Sequence, residues 1–276
     1  MARPLAGAQG MRVHACSVAL RHDRITAPGL AAQVLDAGFD GLEIWAPHAE
    51  ALQADWAALA RRPVVPMLSG YLPVGTPAFD AQDALRLVGL TTCWQAGRLR
   101  LFAGGVGWDA ASGDDRAAII RDLRIVADMA KDHGIRIAIE THPGTLADSL
   151  PATLALMQGL DHPAVGLNVD ILHVWEGGAD PLAALPVLAP HLLHLHLKNV
   201  TARDRLSVFA PQNVHDAAGI RDGMCPLFEG VLDYRTILSR VPSDADMSLE
   251  WFGPAPMATM TADLGRIRSL AALRAA

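Results

Sequence analysis

Ile137-Ala138-Ile139-Glu140-Thr141-His142 alternates bulky apolar residues with small or polar ones. Successive side chains of a β-strand point to opposite faces. Ile137 and Ile139 therefore share one face, and Ala138, Glu140 and His142 share the other. The first face suits a layer of covering helices, and the second suits the inside of a closed sheet. Three later stretches keep the same phase. Val165–Asp170 places Val165, Leu167 and Val169 outside, with Gly166, Asn168 and Asp170 inside. Leu192–Leu197 places Leu193, Leu195 and Leu197 outside, with His194, His196 and then Lys198 inside. Met247–Trp251 places Met247, Leu249 and Trp251 outside, with Ser248 and Glu250 inside. Four consecutive strands thus carry an inward carboxylate or imidazole near their C-terminal ends.

Upstream, four more strands are expected: Arg12–Val18, Gly41–Trp45, Val64–Leu68 and Leu99–Ala103. Helical segments separate them. The clearest is Asp114–His133, where Ile119, Leu123, Val126 and Ala130 form one apolar stripe, with Ser112 and Asp115 at its start and Gly134 at its end. The last helix is expected over Thr259–Leu273. Eight βα units in 276 residues predict a single-domain (β/α)8 TIM barrel over residues 11–276, behind a flexible tail over residues 1–10. An open doubly wound sheet is the alternative, but no G-x-G-x-x-G loop follows the first strand. Asn199–Gly230, after strand seven, is long for a connection in a compact domain. It is expected to form a lid or pocket wall, with a decorative insertion as the plainer possibility.

Composition narrows the function. Apolar residues make up 51 % of the chain, and the net charge is −6 without a basic stripe, which speaks against a nucleic-acid partner. No apolar run approaches the ~18 residues of a membrane span. Three scattered cysteines, Cys16, Cys93 and Cys225, suggest a reducing compartment and a cytoplasmic location, not a disulfide framework. A homo-oligomer is compatible with all of this.

Buried carboxylates that crowd together repel and lose hydration unless a cation joins them. Glu140, Asp170, His196 and Glu250 are therefore expected to hold one divalent metal ion. Three oxygen donors and one nitrogen favour Mn²⁺ or Mg²⁺, with Co²⁺ also suitable. Each residue alone is more simply a salt-bridged strand group; it is the shared phase that carries the argument. Arg100, inward on strand four, suits a substrate carboxylate or else an ion pair with a barrel carboxylate. Glu43 is either a partner to the site or structural support. His142 is a candidate general base, while His173 and Lys198 are candidate acids or oxyanion stabilisers. For these residues, and for His194, holding a metal ligand in place is the alternative. Tyr71 could donate a hydrogen bond or merely pack, and Trp45 and Trp175 could floor the pocket or pack. Cys225 has no nearby base and is not expected to be a nucleophile.

The chain also carries Gly38–Trp45 (GFDGLEIW), Leu101–Gly104 (LFAG), Glu140–Pro143 (ETHP), Asn168–Glu176 (NVDILHVWE) and His194–Asn199 (HLHLKN). Further stretches are Val208–Val214 (VFAPQNV), Gly223–Gly230 (GMCPLFEG) and Ser248–Gly253 (SLEWFG). Together they resemble the xylose-isomerase-like superfamily of sugar phosphate isomerases and epimerases. Within it they resemble the siderophore-pathway type of 3-dehydroshikimate dehydratase. The barrel ligands point only to the superfamily, whereas the loop motifs are narrower. The resemblance implies metal at Glu140, Asp170, His196 and Glu250. It implies catalytic or substrate roles for Tyr71, Arg100, His142, His173, Lys198 and Phe209. Phe209 lies outside any strand, so alternation cannot select it.

The implied reaction is metal-dependent loss of water from 3-dehydroshikimate, giving protocatechuate, in siderophore biosynthesis or in quinate/shikimate catabolism. It begins with removal of the proton alpha to the ketone. The partner is then a small-molecule carboxylate. The main rival is a ketose epimerase or isomerase on the same fold. A DNA-repair endonuclease would want more histidines and a basic face. A barrel that only binds would be expected to lack a ligand, and the ligand set here is complete.

Overall fold

The computed structural model describes residues 10–275. The expected tail therefore lies, Gly10 apart, outside the described residues. Among the described residues there are ten strands: β1 (Arg12–Cys16), β2 (Gly41–Trp45), β3 (Met67–Ser69), β4 (Arg98–Leu101), β5 (Arg136–Glu140), β6 (Val165–Asp170), β7 (Leu192–Leu197), β8 (Asn199–Val200), β9 (Met224–Cys225) and β10 (Asp246–Leu249). Eight of them close a parallel barrel in the order β1-β2-β3-β4-β5-β6-β7-β10, with helices between successive strands. The molecule is a single TIM barrel. Among the described residues no helix is long and apolar enough to cross a membrane.

The helix Gly113–Asp132 forms where the apolar stripe lies. Ser112 Oγ accepts from the Asp115 N–H at 3.1 Å, and Asp115 Oδ2 accepts from the Ser112 N–H at 2.9 Å. Such a reciprocal cap satisfies two otherwise orphaned donors and is worth roughly 1 kcal/mol. Ile119, Leu123, Val126 and Ala130 face the barrel, buried. Ile119 also lies beneath the loop after β3. There Gly75 has φ +78°, and a Cβ would come within 2.2 Å of Ile119 Cγ1, so only glycine closes that turn.

Two expectations need correction. The third strand was expected over Val64–Leu68 but forms at Met67–Ser69, and Val64 is 65 % exposed. Pro63 and Pro66 flank Val64-Val65, and proline has no N–H for a ladder. Val64 contributes only its carbonyl, which accepts from Leu42. In β7 the alternation fails at Leu193. Leu167 pairs with Leu192, but Asn168 pairs with His194, so one residue is extra. This β-bulge turns Leu193 inward with Met67 and Ala138, next to His194, which also points in.

The long segment after β7 is ordered. β8 and β9 pair as a short antiparallel ribbon around a 3-10 helix (Arg203–Phe209) and a helical turn (Pro211–Val214). Asn199 closes its base by donating to the carbonyls of Leu227 (2.7 Å) and Leu232 (2.9 Å). The Tyr234 hydroxyl donates to the Lys198 carbonyl at 2.8 Å.

At the N-terminal end of the barrel, the Asp246 carboxylate gathers three cation-capable groups. Arg12 Nε lies at 2.7 Å, Arg98 Nη2 at 2.6 Å and His14 Nε2 at 2.9 Å. Burial would raise the Asp246 pKa, but the bonds from His14, Arg12 and Arg98 outweigh it and hold it far below the usual range. Asp246→Asn should destabilise the fold by about 2–3 kcal/mol in urea denaturation at neutral pH, below the full cost of breaking a buried pair because the arginines reach water. A depressed carboxylate pKa stabilises above its unfolded value of about 3.9 and loses that contribution as pH falls through the folded value. The difference between variant and wild type should therefore shrink below about pH 4. A difference that stays constant down to pH ~3 would contradict this role for the Asp246 charge.

Candidate active site

The phase of the strands brings the predicted side chains to one place, at the C-terminal mouth. Glu140 and Asp170 end β5 and β6, His196 is the fifth residue of β7, and Glu250 follows β10. One donor atom from each lies within 4.8 Å of all the others. All four residues are buried. His196 Nδ1 faces Glu140 Oε1 at 3.4 Å and Glu250 Oε1 at 3.5 Å, and makes no hydrogen bond among the described residues. Its other nitrogen, Nε2, lies 2.9 Å from Glu43 Oε2, and Glu43 also accepts from Ser69. Glu43 thereby fixes the ring and leaves Nδ1 as the free donor atom.

The charges favour a cation. Four buried carboxylates, Glu43, Glu140, Asp170 and Glu250, face two permanent cations, Arg100 and Lys198. With His196 protonated one negative charge remains uncompensated, and a divalent ion that displaces the Nδ1 proton would meet a site charge of −2. Burial pushes the Glu140 pKa up, but Arg100, His196 and Lys198 outweigh it and hold the carboxyl well below the usual range. Burial pushes His196 down, and Glu43, Glu250 and Glu140 carry it well above the usual imidazole range. The donor set, the orphaned Nδ1 and the charge excess all fit a hard divalent metal.

The remaining predicted residues line the pocket above this cluster. Lys198 Nζ bridges Asp170 Oδ2 (2.5 Å) and Glu250 Oε2 (2.7 Å). Burial lowers its pKa, but Asp170 and Glu250 more than reverse this, so it stays charged. Arg100 Nε sits 3.0 Å from Glu140 Oε2, with its guanidinium over the rings of Phe102 (4.6 Å) and Tyr71 (5.1 Å). The ion pair with a barrel carboxylate is therefore present, while Arg100 Nη1 makes no hydrogen bond among the described residues. His142 Nδ1 lies 2.8 Å from the Pro143 carbonyl. A carbonyl only accepts, so Nδ1 carries the proton and Nε2 holds a lone pair. Burial, then the neighbouring His173, lowers the His142 pKa to about 4. His173 packs against it, ring centroids 4.6 Å apart. Tyr71 is at the exposed rim, where Trp45 donates to its hydroxyl at 3.1 Å. Phe209 descends from the long segment, 6.2 Å from Phe252 and 5.7 Å from Lys198 Nζ.

Other candidates fall elsewhere. His194 lies deeper in the barrel, bonded to Ser248 Oγ at 2.7 Å. Trp175 supports Arg203 from outside the pocket. Cys225 is buried in the ribbon, its thiol pushed up to about 11 by burial and then by Glu229. Phe102, Phe252, Pro211 and His215 complete the pocket wall, and sequence reading did not select them. For Phe102 and Phe252 a signal existed, because each stands two residues after an inward site residue, Arg100 and Glu250.

Known proteins match this architecture. A family profile described as a xylose isomerase-like TIM barrel matches residues 31–274. The 3-dehydroshikimate dehydratase of Bacillus anthracis is 35 % identical over 257 residues, covering 88 % of this chain and 91 % of its own. The crystal structure of AsbF from the same organism, described as a probable 3-DHS dehydratase involved in petrobactin synthesis, superposes with a TM-score of 0.88. Its identity is 33 %, with 94 % of this chain and 99 % of that chain covered. The zinc-bound IolI protein shares the fold at 14 % identity and a TM-score of 0.71, covering 94 % of this chain and 98 % of its own. The chain belongs to the xylose isomerase-like TIM-barrel family.

Proposed function

We infer that the chain is a 3-dehydroshikimate dehydratase, a hydro-lyase that removes water from 3-dehydroshikimate to give protocatechuate. The end-to-end likeness to an enzyme of that activity carries the conclusion, and the pocket chemistry agrees with it. Siderophore assembly, in the cytoplasm, is the use we propose for the product, since the AsbF relative takes part in petrobactin synthesis.

Glu140, Asp170, His196 and Glu250 would hold one Mn²⁺ or Mg²⁺ ion. When bound, that ion supplies Lewis-acid polarisation of the substrate's ketone. His142, neutral and with Nε2 free, is the base that removes the proton alpha to the ketone. A pKa of about 4 keeps its lone pair available at neutral pH. Lys198 offers a fixed positive charge to the developing enolate. Lys198 then protonates the departing ring hydroxyl, which leaves as water; the unprotonated Nε2 of His173 takes a second ring proton, and the protons gained by His142 and His173 pass to the former ketone oxygen and back to Lys198, which completes the aromatic product. Arg100, through its uncommitted Nη1, would take the substrate carboxylate against Tyr71 and Phe102. Phe209 and Phe252 exclude water.

A ketose epimerase commonly needs two carboxylates for proton transfer. Here Glu140 and Glu250 are engaged with Arg100 and Lys198, which disfavours that reading.

Metal-loaded protein mixed with 3-dehydroshikimate should show the rising ultraviolet absorbance of protocatechuate, and chelation should abolish it. Turnover of ketohexoses with none of 3-dehydroshikimate would transfer the assignment to the epimerases. His142→Ala should lower kcat about 10²–10⁴-fold while metal content, measured by atomic emission, stays at one ion per chain. An unchanged kcat would remove His142 from the base role.

A further inference from the structure

The short helix Ile171–Glu176 sets three acidic or imidazole side chains at successive turns. Asp170 caps its start, with Oδ1 accepting from the His173 N–H at 3.1 Å. His173 follows one turn on, buried and lining the pocket. Glu176 comes another turn later, and its Oε2 lies 2.7 Å from His173 Nδ1. Spacing of i, i+3 keeps such residues on one helical face. Glu176 itself is outside the pocket lining, with its side chain 25 % exposed.

A carboxylate can only accept, so the short contact requires the proton on His173 Nδ1. The other nitrogen, Nε2, is then the one directed toward Asp170 Oδ2, 3.9 Å away. The far end of the helix is held as well. Arg203 donates to the carbonyls of Trp175 (2.7 Å) and Glu176 (3.2 Å), and its guanidinium stacks 4.0 Å above the Trp175 ring. Arg203 opens the 3-10 segment that ends in Phe209. The pocket wall and the His173 helix are therefore bound to each other.

We propose that Glu176 is a positioning residue. It fixes the tautomer and ring plane of His173, so that Nε2, with its lone pair free to take a proton, is the nitrogen presented to the substrate. This rests on the dehydratase reading for the part His173 plays, but the tautomer itself does not. Without Glu176 nothing in the described structure accepts from Nδ1, and a neutral imidazole would redistribute its proton to Nε2.

The test uses Mg²⁺-loaded protein carrying ¹⁵N-histidine, because Mg²⁺ is diamagnetic. Long-range ¹H–¹⁵N spectra at about pH 8, where imidazole in water is neutral, report which nitrogen holds the proton. The His173 signals are assigned by their loss in His173→Asn. The wild type should show the Nδ1–H form. Glu176→Ala should move it toward Nε2–H, and Glu176→Gln, whose amide oxygen still accepts, should restore it. In the dehydration assay Glu176→Ala should lower kcat about 10- to 100-fold, with KM, metal content and melting temperature unchanged, and Glu176→Gln should recover most of the loss. An Nε2–H form in the wild type, or a wild-type kcat in Glu176→Ala, would overturn the proposal. A wild-type protein inactive on 3-dehydroshikimate would instead sink the dehydratase reading, and the spectra alone would then decide the role of Glu176.

Discussion

Four carboxylates share the upper interior of the barrel, and their mutual repulsion sets the terms for every group near them. In a low-dielectric interior such charges are tolerated only with close partners. Arg100 and Lys198 enter from β4 and from the end of β7 to answer Glu140, Asp170 and Glu250. His196 stands between Glu43 below and the other acids above. No member of this set could be buried alone at an acceptable cost. The cluster is stable only as a unit, and a closed parallel barrel supplies a unit of that kind, because register between stiff strands fixes each side chain against its neighbours.

That dependence explains what could be read from sequence. Where a side chain's place follows from strand phase, alternation finds it, and Glu140, Asp170, His196 and Glu250 emerge from counting by twos. The count fails where the backbone departs from the pleat. Leu193 reads as outward because nothing in Leu-Leu-His-Leu-His-Leu marks the bulge beside Gly166. Without that bulge the helices, not the interior, would receive Leu193, and the space beside Gly166 and Ala138 would be empty. Val64-Val65 reads as a strand because its β-branched residues favour one, yet prolines on both sides interrupt the ladder, and its bond to β2 is made by the Val64 carbonyl. Phe209 was legible only through likeness to known sequences, since its place depends on how Asn199 and Tyr234 tie down a segment far from regular structure. Glu176 was visible in the quoted motif, but only three-dimensional contact gives it a partner.

Protonation in the pocket follows from the same arrangement. Lys198 is buried and His142 partly so, and loss of water disfavours the charged form of each. The outcome differs because Lys198 touches two carboxylates, while His142 meets a backbone carbonyl and a second imidazole. One cation survives and one base stays neutral within a single pocket. Acid and base roles separate when neighbouring titratable groups are pushed apart in this way.

The two ends of the barrel show what distinguishes a site from a scaffold. Both pair buried carboxylate with basic side chains and histidine, a single acid at one end and four at the other. At the N-terminal end Asp246 receives Arg12, Arg98 and His14, so its oxygens are fully used, and its arginines extend to water. That carboxylate has no room for a further cation. At the C-terminal end acids outnumber permanent cations, His196 Nδ1 has no hydrogen-bond partner among the described residues, and aromatic rings line the opening. Residue types alone would not separate these two clusters. Their surroundings do: the excess charge beside Asp246 is on arginines that reach water and needs no ligand, whereas the excess at the mouth is buried among carboxylates and does.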